Sequence, residues 1–220
     1  MNGGANEMDP KARYAKERTI SRQNRTAVIL ETAERVFTLK GIDKTTMQDI
    51  AMEANIGIAT LFRYFPKKEK LIVAVATKLL EPTLQRFTEI ADLPLSCLDK
   101  LSHLFDYFIE DHHNPSTKLM SDFENYAAHT SDPLEGMDEF KALHQRIADQ
   151  FSTIIQAGME DGSIRSDLSI EETLLTVINA FGLFSKKLSL KASFLLLDSD
   201  LESSRQLAIL KNMMIDYLKA

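Results

Sequence analysis

The stretch TMQDIAMEANIGIATLFRYF, residues 46–65, predicts two short helices joined by a tight turn. Thr46 and Asp49 have the spacing of a capping box, in which each side chain binds the other residue's backbone amide at a helix N-terminus. Asn55 stands where the chain must reverse, and asparagine tolerates the left-handed backbone conformation better than most residues. Gly57 is a suitable N-cap for the second helix. A motif of this size cannot bury its apolar face alone, so it needs supporting helices.

The second helix divides into an inward and an outward set of side chains. The positions assigned to packing are Leu61, Phe62 and Phe65. The positions assigned to the outer side are Ile58, Ala59, Thr60, Arg63 and Tyr64. A second helix presented in this way usually enters the DNA major groove. An ordinary pair of packed helices is the alternative that the pattern alone leaves open.

Residues 25–71 resemble the DNA-binding domain of the tetracycline-repressor (TetR) family of transcriptional regulators. The matching residues are Ile29, Ala33, Phe37, Gly41, Thr45, Thr46, Met47, Ile50, Ala51, Ala54, Thr60, Leu61, Phe62, Tyr64, Phe65, Lys68, Glu69 and Leu71. The resemblance implies a homodimer of all-α subunits. Its N-terminal domain would bind a DNA operator, and its larger C-terminal domain would bind a small ligand that lowers operator affinity.

Departures from the family pattern occur at Asn55, Gly57, Ala59 and Phe62, and Gly57 and Phe62 each lack a hydroxyl that could meet a phosphate. The expected DNA-binding residues are Arg25, Thr46, Gly57, Ile58, Ala59, Thr60, Arg63, Tyr64 and Lys68. Ile58, Ala59 and Arg63 are expected to lie closest to the base edges, where the apolar side chains can contact thymine methyl groups. The resemblance implies that Lys68 contacts the operator backbone.

The charge of the chain is divided unequally. The overall net charge is −6. Residues 1–70 carry a net charge of +4 and residues 71–220 a net charge of −10. A basic N-terminal third on an acidic body suits a protein that binds phosphates through one end only.

Composition excludes several classes of protein. Apolar residues make up 44% of the chain, which supports a packed core. No apolar run approaches the roughly 20 residues that a membrane-spanning helix requires, and the N-terminus has no secretory signal. The single cysteine, Cys97, fits a reducing cytoplasm and a buried apolar position. The five histidines form no i, i+4 pair, so we expect no metal site, and we find no pattern for a cofactor or a catalytic residue.

The fold class predicted along the chain is all-α with about nine helices, since no alternating strand pattern occurs. We divide the chain into a flexible basic arm (1–21), a helix–turn–helix DNA-binding domain (22–70) and a ligand-binding and dimerisation domain (71–220). Helices are predicted over 25–40, 95–111, 116–130, 134–160, 169–190 and 200–218 besides those of the motif and the one that opens near Lys68. Pro82 indicates either a joint between the two domains or the first turn of a new helix.

The body has more aromatic and methionine side chains than a plain bundle needs. The proposed ligand-pocket residues are Phe105, Phe108, Met120, Phe123, Tyr126, Phe151 and Phe181, and an apolar or aromatic ligand suits them. The proposed dimer-interface residues are Leu174, Ile178, Phe181, Phe184, Leu207, Leu210, Met214 and Tyr217. Two helices from each subunit would form a four-helix bundle.

The function predicted from these features is that of a ligand-responsive transcriptional repressor. It would bind a palindromic operator as a homodimer and be released by a small molecule. The alternatives are an all-helical dimeric adaptor and an enzyme in which the helix–turn–helix is only structural. No nucleophile–base pair, phosphate-binding loop or metal signature supports the enzyme.

Overall fold

A computed structural model describes residues 10–111, 114–130, 133–189 and 203–220. Within them lie nine α-helices and an isolated antiparallel bridge between Ile164 and Lys219. The helices are α1 (Pro10–Lys40), α2 (Met47–Glu53), α3 (Ile58–Tyr64), α4 (Lys68–Ala91), α5 (Cys97–Asp111), α6 (Pro115–His129), α7 (Met137–Asp161), α8 (Ile170–Ser189) and α9 (Ser203–Leu218). The predicted all-α class is confirmed.

The first helix differs from its prediction. It begins at Pro10 and not near residue 25, so residues 10–21 are helical rather than a flexible arm. Residues 1–9 lie outside the described part of the chain. The basic side chains of Lys16, Arg18 and Arg22 are exposed along this N-terminal extension. The extension lacks the apolar stripe of a packed helix, which is why the sequence pattern did not indicate it.

Two hydrophobic cores stabilise the molecule, and α4 contributes to both. The first core joins α1, α2 and α3 to the beginning of α4, and includes Leu119 and Phe123 of α6. The second core joins Phe87 and Ile90 near the end of α4 to α5, α7, α8 and α9. Because Leu71–Ala76 pack in the first core, the division that we place between residues 70 and 71 falls inside a continuous helix. The division into domains therefore stays a proposal.

Pro82 lies inside α4, which continues on both sides of it. The interpretation of Pro82 as the first turn of a new helix is therefore wrong, and its interpretation as a joint stays a prediction. Proline has no amide hydrogen, so the carbonyl of Lys78 receives no helical hydrogen bond from residue 82. This interruption of the hydrogen-bond ladder lies where α4 passes from the first core to the second.

The turn after α7 ties the second core together. Gly162 ends α7 with φ of 78°, a conformation that glycine adopts without strain. Ile164 then turns inward, and its amide donates to the carbonyl of Gly158 at 2.9 Å. The amide of Arg165 donates to the carbonyl of Leu218 at 3.0 Å. The end of α9 is thereby held against the start of the α7–α8 connection.

Candidate DNA-binding surface and ligand cavity

The α2–α3 turn is built as the sequence predicts. The Thr46 hydroxyl accepts the amide of Asp49 at 3.2 Å, and the Asp49 carboxylate accepts the amide of Thr46 at 2.9 Å. Asn55 has φ of 51°, which confirms the left-handed position. The amide of Ile56 donates to the carbonyl of Ala51 at 3.0 Å and closes the turn. Gly57 is the N-cap of α3, as predicted, and has no side-chain cap.

Fewer side chains of α3 are buried than the sequence predicts. Leu61 and Phe65 are buried in the first core. Phe62 is 44% exposed, so its assignment to the packing side is wrong. Phe62 comes directly after Leu61 and therefore points about 100° away from it. That leaves Phe62 on the flank of α3 and not on its inner side.

Two residues assigned to the outer side of α3 also serve the core. Ile58 and Tyr64 are half-buried and pack against the first core. Ala59 and Arg63 are exposed, and Thr60 is half-buried. Since Ala59 and Arg63 are four residues apart, they lie on one face of the helix. This face, flanked by Phe62, is the part of α3 that a DNA duplex can reach.

The other polar side chains expected to contact DNA differ in what they bind within the protein. The guanidinium of Arg63 lies 5.8 Å from the centre of the Tyr64 ring. Arg25 is exposed on α1. The Thr46 hydroxyl is engaged with the Asp49 carboxylate at 2.8 Å, so its first function is to cap α2.

Lys68, at the first position of α4, is held by the protein in this conformation. Its amino group donates to the carbonyl of Asp43 at 3.3 Å, and the side chain is half-buried. Burial lowers the pKa of Lys68, against the opposing effect of the Asp43 and Glu69 carboxylates. Lys68 therefore stabilises the α1–α2 connection through Asp43. It lies four residues after the end of α3.

A cavity of about 490 Å³ lies in the body of the molecule. This volume is within the roughly 300–1,000 Å³ of small-molecule sites in proteins. Apolar side chains from five helices line it, among them Leu79, Phe87, Phe108, Met120, Phe151 and Phe181. Phe87 contacts Phe108 edge to face, with ring centres 5.7 Å apart. The walls are therefore aromatic and suit a flat or elongated apolar molecule.

Polar side chains also line the cavity. The hydroxyls of Thr83 and Tyr107 lie 3.0 Å apart, within hydrogen-bond distance. The amino group of Lys78 donates to the carboxylate of Glu34 at 3.2 Å. All four residues line the cavity, as does His144. These groups and the other polar side chains of the lining can orient a ligand.

Four of the seven proposed pocket residues line this cavity, namely Phe108, Met120, Phe151 and Phe181. The other three do not, which corrects the prediction. Phe105 is fully buried beneath the lining, where it stacks on Phe181 with ring centres 5.0 Å apart. Phe123 and Tyr126 lie on the side of α6 that packs into the first core. Helical spacing alone could not tell which core each face of α6 would join.

A second hollow, of about 550 Å³, lies at the surface between α4 and α7. Its rim carries the carboxylates of Glu81, Glu89, Asp92 and Glu139, together with Arg146. This hollow is more open than the aromatic cavity and has none of the aromatic residues proposed for a pocket. The aromatic cavity is therefore the better candidate for a ligand site.

The proposed dimer residues divide between the core and the surface. Phe181 and Leu207 are buried within the subunit, so their assignment to an interface is wrong. Leu174, Phe184, Leu210 and Met214 are half-buried and pack against the second core. Ile178 and Tyr217 are exposed, by 37% and 56%.

An apolar face remains exposed on the last two helices. The large apolar side chains on it are Leu175, Ile178 and Leu183 of α8 and Ile209, Met213 and Tyr217 of α9. The α9 members recur every four residues, so they form one stripe. The neighbouring stripe of α9 holds the other predicted residues, Leu207, Leu210 and Met214, and packs inward against the second core. Both stripes are apolar, so periodicity does not distinguish them.

Within the described ranges, no group of three or more metal-ligating side chains occurs. In the same part of the chain, none of the helices combines the length and apolar character needed to cross a membrane. Cys97 is buried in the second core, and its thiol donates to the Asp161 carboxylate at 3.7 Å.

Comparison with known proteins identifies the N-terminal domain. Residues 29–75 match the family described as bacterial regulatory proteins, tetR family. The chain is 29% identical over 145 residues to the HTH-type transcriptional repressor KstR2 of Mycolicibacterium smegmatis, a match that covers 65% of this chain and 69% of that repressor.

Solved structures share the fold of the whole chain. The regulator FadR from Bacillus subtilis in complex with stearoyl-CoA has a TM-score of 0.66 at 15% identity, over 87% of this chain and 98% of that one. AibR in complex with isovaleryl coenzyme A and operator DNA has a TM-score of 0.62 at 18% identity, over 86% and 97%. At this identity the likeness shows the fold alone.

The N-terminal domain is therefore that of a TetR-family transcriptional regulator. The predicted DNA-binding and helix–turn–helix character is confirmed by the family match and the repressor relatives. Because the family and these relatives are regulators, the prediction of a regulator rather than an enzyme is confirmed as well.

Proposed function

We propose that this TetR-family regulator is a repressor that binds a palindromic operator as a homodimer and is released by a small apolar or aromatic molecule. One observation carries the proposal: α4 begins four residues after the end of α3 and then passes through the wall of the aromatic cavity between Lys78 and Phe87. A single continuous helix thus joins the two places where DNA and ligand would bind.

The DNA contacts follow from the exposure of α3. Ala59 and Arg63 would enter the major groove, with Phe62 beside them. Thr60, Tyr64, Arg25 and the amide of Gly57 would contact phosphates. Ile58 serves mainly the core, Thr46 caps α2, and Lys68 would reach a phosphate only by leaving the Asp43 carbonyl. Phosphate contacts position the helix, and base contacts supply the specificity.

The dimer would form through the exposed apolar face of α8 and α9. One α3 helix reads only a few base pairs, whereas two α3 helices about one DNA turn apart, or a multiple of it, read a palindrome. Pairing α8 and α9 with their counterparts would remove the exposed apolar stripe from water and form an isologous interface.

Ligand release requires a bias on an existing equilibrium. A ligand that lowers operator affinity 100-fold must favour the non-binding conformer by about 3 kcal/mol. A molecule in the aromatic cavity contacts Leu79, Phe87 and their neighbours on α4, so it can shift α4 and with it the spacing of the two α3 helices. The structures of FadR and AibR are complexes with stearoyl-CoA and isovaleryl coenzyme A, which supports a ligand with an apolar part.

The test is DNA binding by the purified chain, measured by fluorescence anisotropy with a fragment from upstream of its own gene and competing non-specific DNA. We expect specific binding that Arg63→Ala weakens about tenfold or more. Because Arg63 is assigned to the base edges, the variant should also discriminate less between this fragment and the non-specific DNA, by about 1–3 kcal/mol. Arg86→Ala, an exposed arginine on α4 beside Glu89, is the matched control and should bind like the wild type. Equal binding by Arg63→Ala and the control would refute the orientation of α3.

A further inference from the structure

The cavity contains an ion pair between the two domains of the protein. Glu34 is on α1, which packs in the first core, and Lys78 is on α4 in the cavity wall. Their side chains are 28% and 30% exposed. Glu34 is the only residue of α1 among those that line the cavity in the described part of the chain, whereas α4 supplies Lys78 and several of the residues that follow it.

We propose that Lys78 is the anion-binding group of the ligand cavity, and that an anionic group on an apolar ligand competes with Glu34 for it. The preferred ligand is then an apolar molecule with one carboxylate or phosphate group. This inference rests on the proposed function, because it names the chemistry of the ligand for the same cavity.

The choice of an anion over a cation follows from where the two charges lie. Lys78 has a flexible four-carbon stem with three donors at its end, so its amino group can turn toward a ligand among the aromatic residues. Glu34 reaches the cavity from its edge, on a helix that otherwise packs elsewhere. Lys118 and Glu124 also line the cavity and add one charge of each sign, so the preference for an anion rests on the position and reach of Lys78. A bound anion would keep Lys78 paired, so its charge would stay compensated.

The exchange of partners also supplies a route from ligand to DNA. The Glu34–Lys78 contact links α4 to α1, and α1 packs on the helix–turn–helix. When the anionic group of the ligand binds Lys78, the Glu34–Lys78 contact is lost. The Glu34 carboxylate then turns toward water. The backbone carbonyl of Lys78 is also the one that lacks a helical donor because of Pro82, so α4 is least constrained at this point.

The experiment compares ligands that differ only in the charge of the head group. Dodecanoate, dodecyl phosphate, dodecanol and dodecylammonium are titrated into the full chain, and binding is followed by isothermal titration calorimetry below their micelle concentrations. We expect dodecanoate or dodecyl phosphate to bind about tenfold more tightly than dodecanol, as for one hydrogen bond to a charged group. The order of these two anions distinguishes a carboxylate ligand from a phosphate ligand.

Three variants assign the preference to Lys78. In Lys78→Met the anions should bind no better than dodecanol. In Glu34→Gln, which removes the competing charge, the anions should bind several-fold more tightly while dodecanol binding is unchanged. Glu135→Gln is the control. Glu135 pairs at 3.0 Å with Lys70, which is on α4 like Lys78 but lies outside the cavity. It should leave all four affinities unchanged, and circular dichroism should show that each variant is folded.

The outcomes separate this inference from the proposed function. An anion preference that survives in Lys78→Met, or tighter binding of dodecylammonium by the wild type, overturns the assignment of Lys78. Binding of dodecanol with no preference for the anions overturns it too, but leaves the apolar ligand cavity in place. Binding of none of the four probes overturns both.

Discussion

Gly158 and Ile164 approach so closely that a β-carbon added to Gly158 would lie 2.5 Å from Cδ1 of Ile164. The β-carbon added to Gly158 would also lie 3.0 Å from Cβ of Cys97. Gly158 is inside α7, where alanine would otherwise be the better helix former. The close approach lets Ile164, which is 1% exposed, enter the second core and lets the α7–α8 connection lie flat against α7.

Gly158→Ala should therefore destabilise the protein. Overpacking of this kind costs about 1–3 kcal/mol, which exceeds the gain of up to about 1 kcal/mol in helix propensity. Urea unfolding should show a lower midpoint with an unchanged m-value. The cost should be smaller in an Ile164→Val background, because valine lacks the Cδ1 atom. A stabilised Gly158→Ala would contradict the packing described here.

Asp49 should make the stability of the helix–turn–helix depend on pH. Hydrogen bonds from the Lys40 side chain, and then from the backbone and hydroxyl of Thr46, lower the pKa of Asp49 from 3.8 to about 2. A carboxylate with a depressed pKa stabilises the folded state fully above its unfolded pKa of about 3.8, and this stabilisation is lost as pH falls toward 2.

Asp49→Asn should consequently be less stable than the wild type at pH 7, and the difference should shrink as pH falls from 4 to about 2. Urea unfolding at several pH values measures it. Lys40→Met should remove part of the same stabilisation, so the losses of the two variants should not add. Equal stability of Asp49→Asn and the wild type at pH 7 would mean that the Asp49 charge does not stabilise the fold.

The helical extension of α1 should enlarge the DNA footprint. Arg18, Arg22 and Arg25 are separated by four and three residues, so they form a row on one side of α1. Ile29, four residues further, lies on the same side and packs in the first core. The row therefore faces the side on which the rest of the DNA-binding domain packs.

Replacing Arg18 and Arg22 together by glutamine should weaken operator binding and reduce the log–log salt slope by about two units. Lys16→Gln is the control, since Lys16 precedes Arg18 by two residues and lies on the opposite side of the helix. Anisotropy titrations between low and moderate salt measure the slopes. An unchanged slope in the double variant would remove the extension from the footprint.

The exposed stripe of α9 should hold the dimer together. Met213 is 64% exposed in the single subunit, and a glutamate there would bury an unpaired charge in the interface. Such a charge costs about 2–5 kcal/mol, so Met213→Glu should raise the dimer dissociation constant at least about 30-fold.

Sedimentation velocity at micromolar concentration should show a dimer for the wild type and a shift toward monomer for Met213→Glu. Leu39→Glu is the control, because Leu39 is 78% exposed on α1, away from the stripe. A dimer that tolerates Met213→Glu as well as it tolerates Leu39→Glu would place the interface elsewhere.

The local features of the helix–turn–helix could be predicted because each depends on residues close in sequence. The capping box of Thr46 and Asp49 needs a spacing of three, and the turn at Asn55 needs a residue that tolerates positive φ. Most helix boundaries in the body fall within three residues of their prediction, since apolar periodicity and the breaks at Asn114 and Gly162 mark them. The family resemblance added the operator and the ligand, which no local pattern contains.

The errors occurred where two apolar faces competed for one core. Phe62 was assigned inward although Leu61 and Phe65 already fill the inner side of α3. Phe181 and Leu207 were assigned to a partner subunit although they are buried beneath α8 and α9. Phe123 was assigned to the cavity although its side of α6 packs against the DNA-binding domain.

The sequence by itself determined the helices, the motif and the uneven charge, because these depend on the order of neighbouring residues. Only the tertiary structure decided which apolar face of α6, α8 and α9 is buried, which is left exposed, and which lines the cavity. It alone also joined Glu34 to Lys78 across 44 residues. Periodicity shows that a helix has an apolar side, but the partner of that side is set by packing between helices distant in the chain.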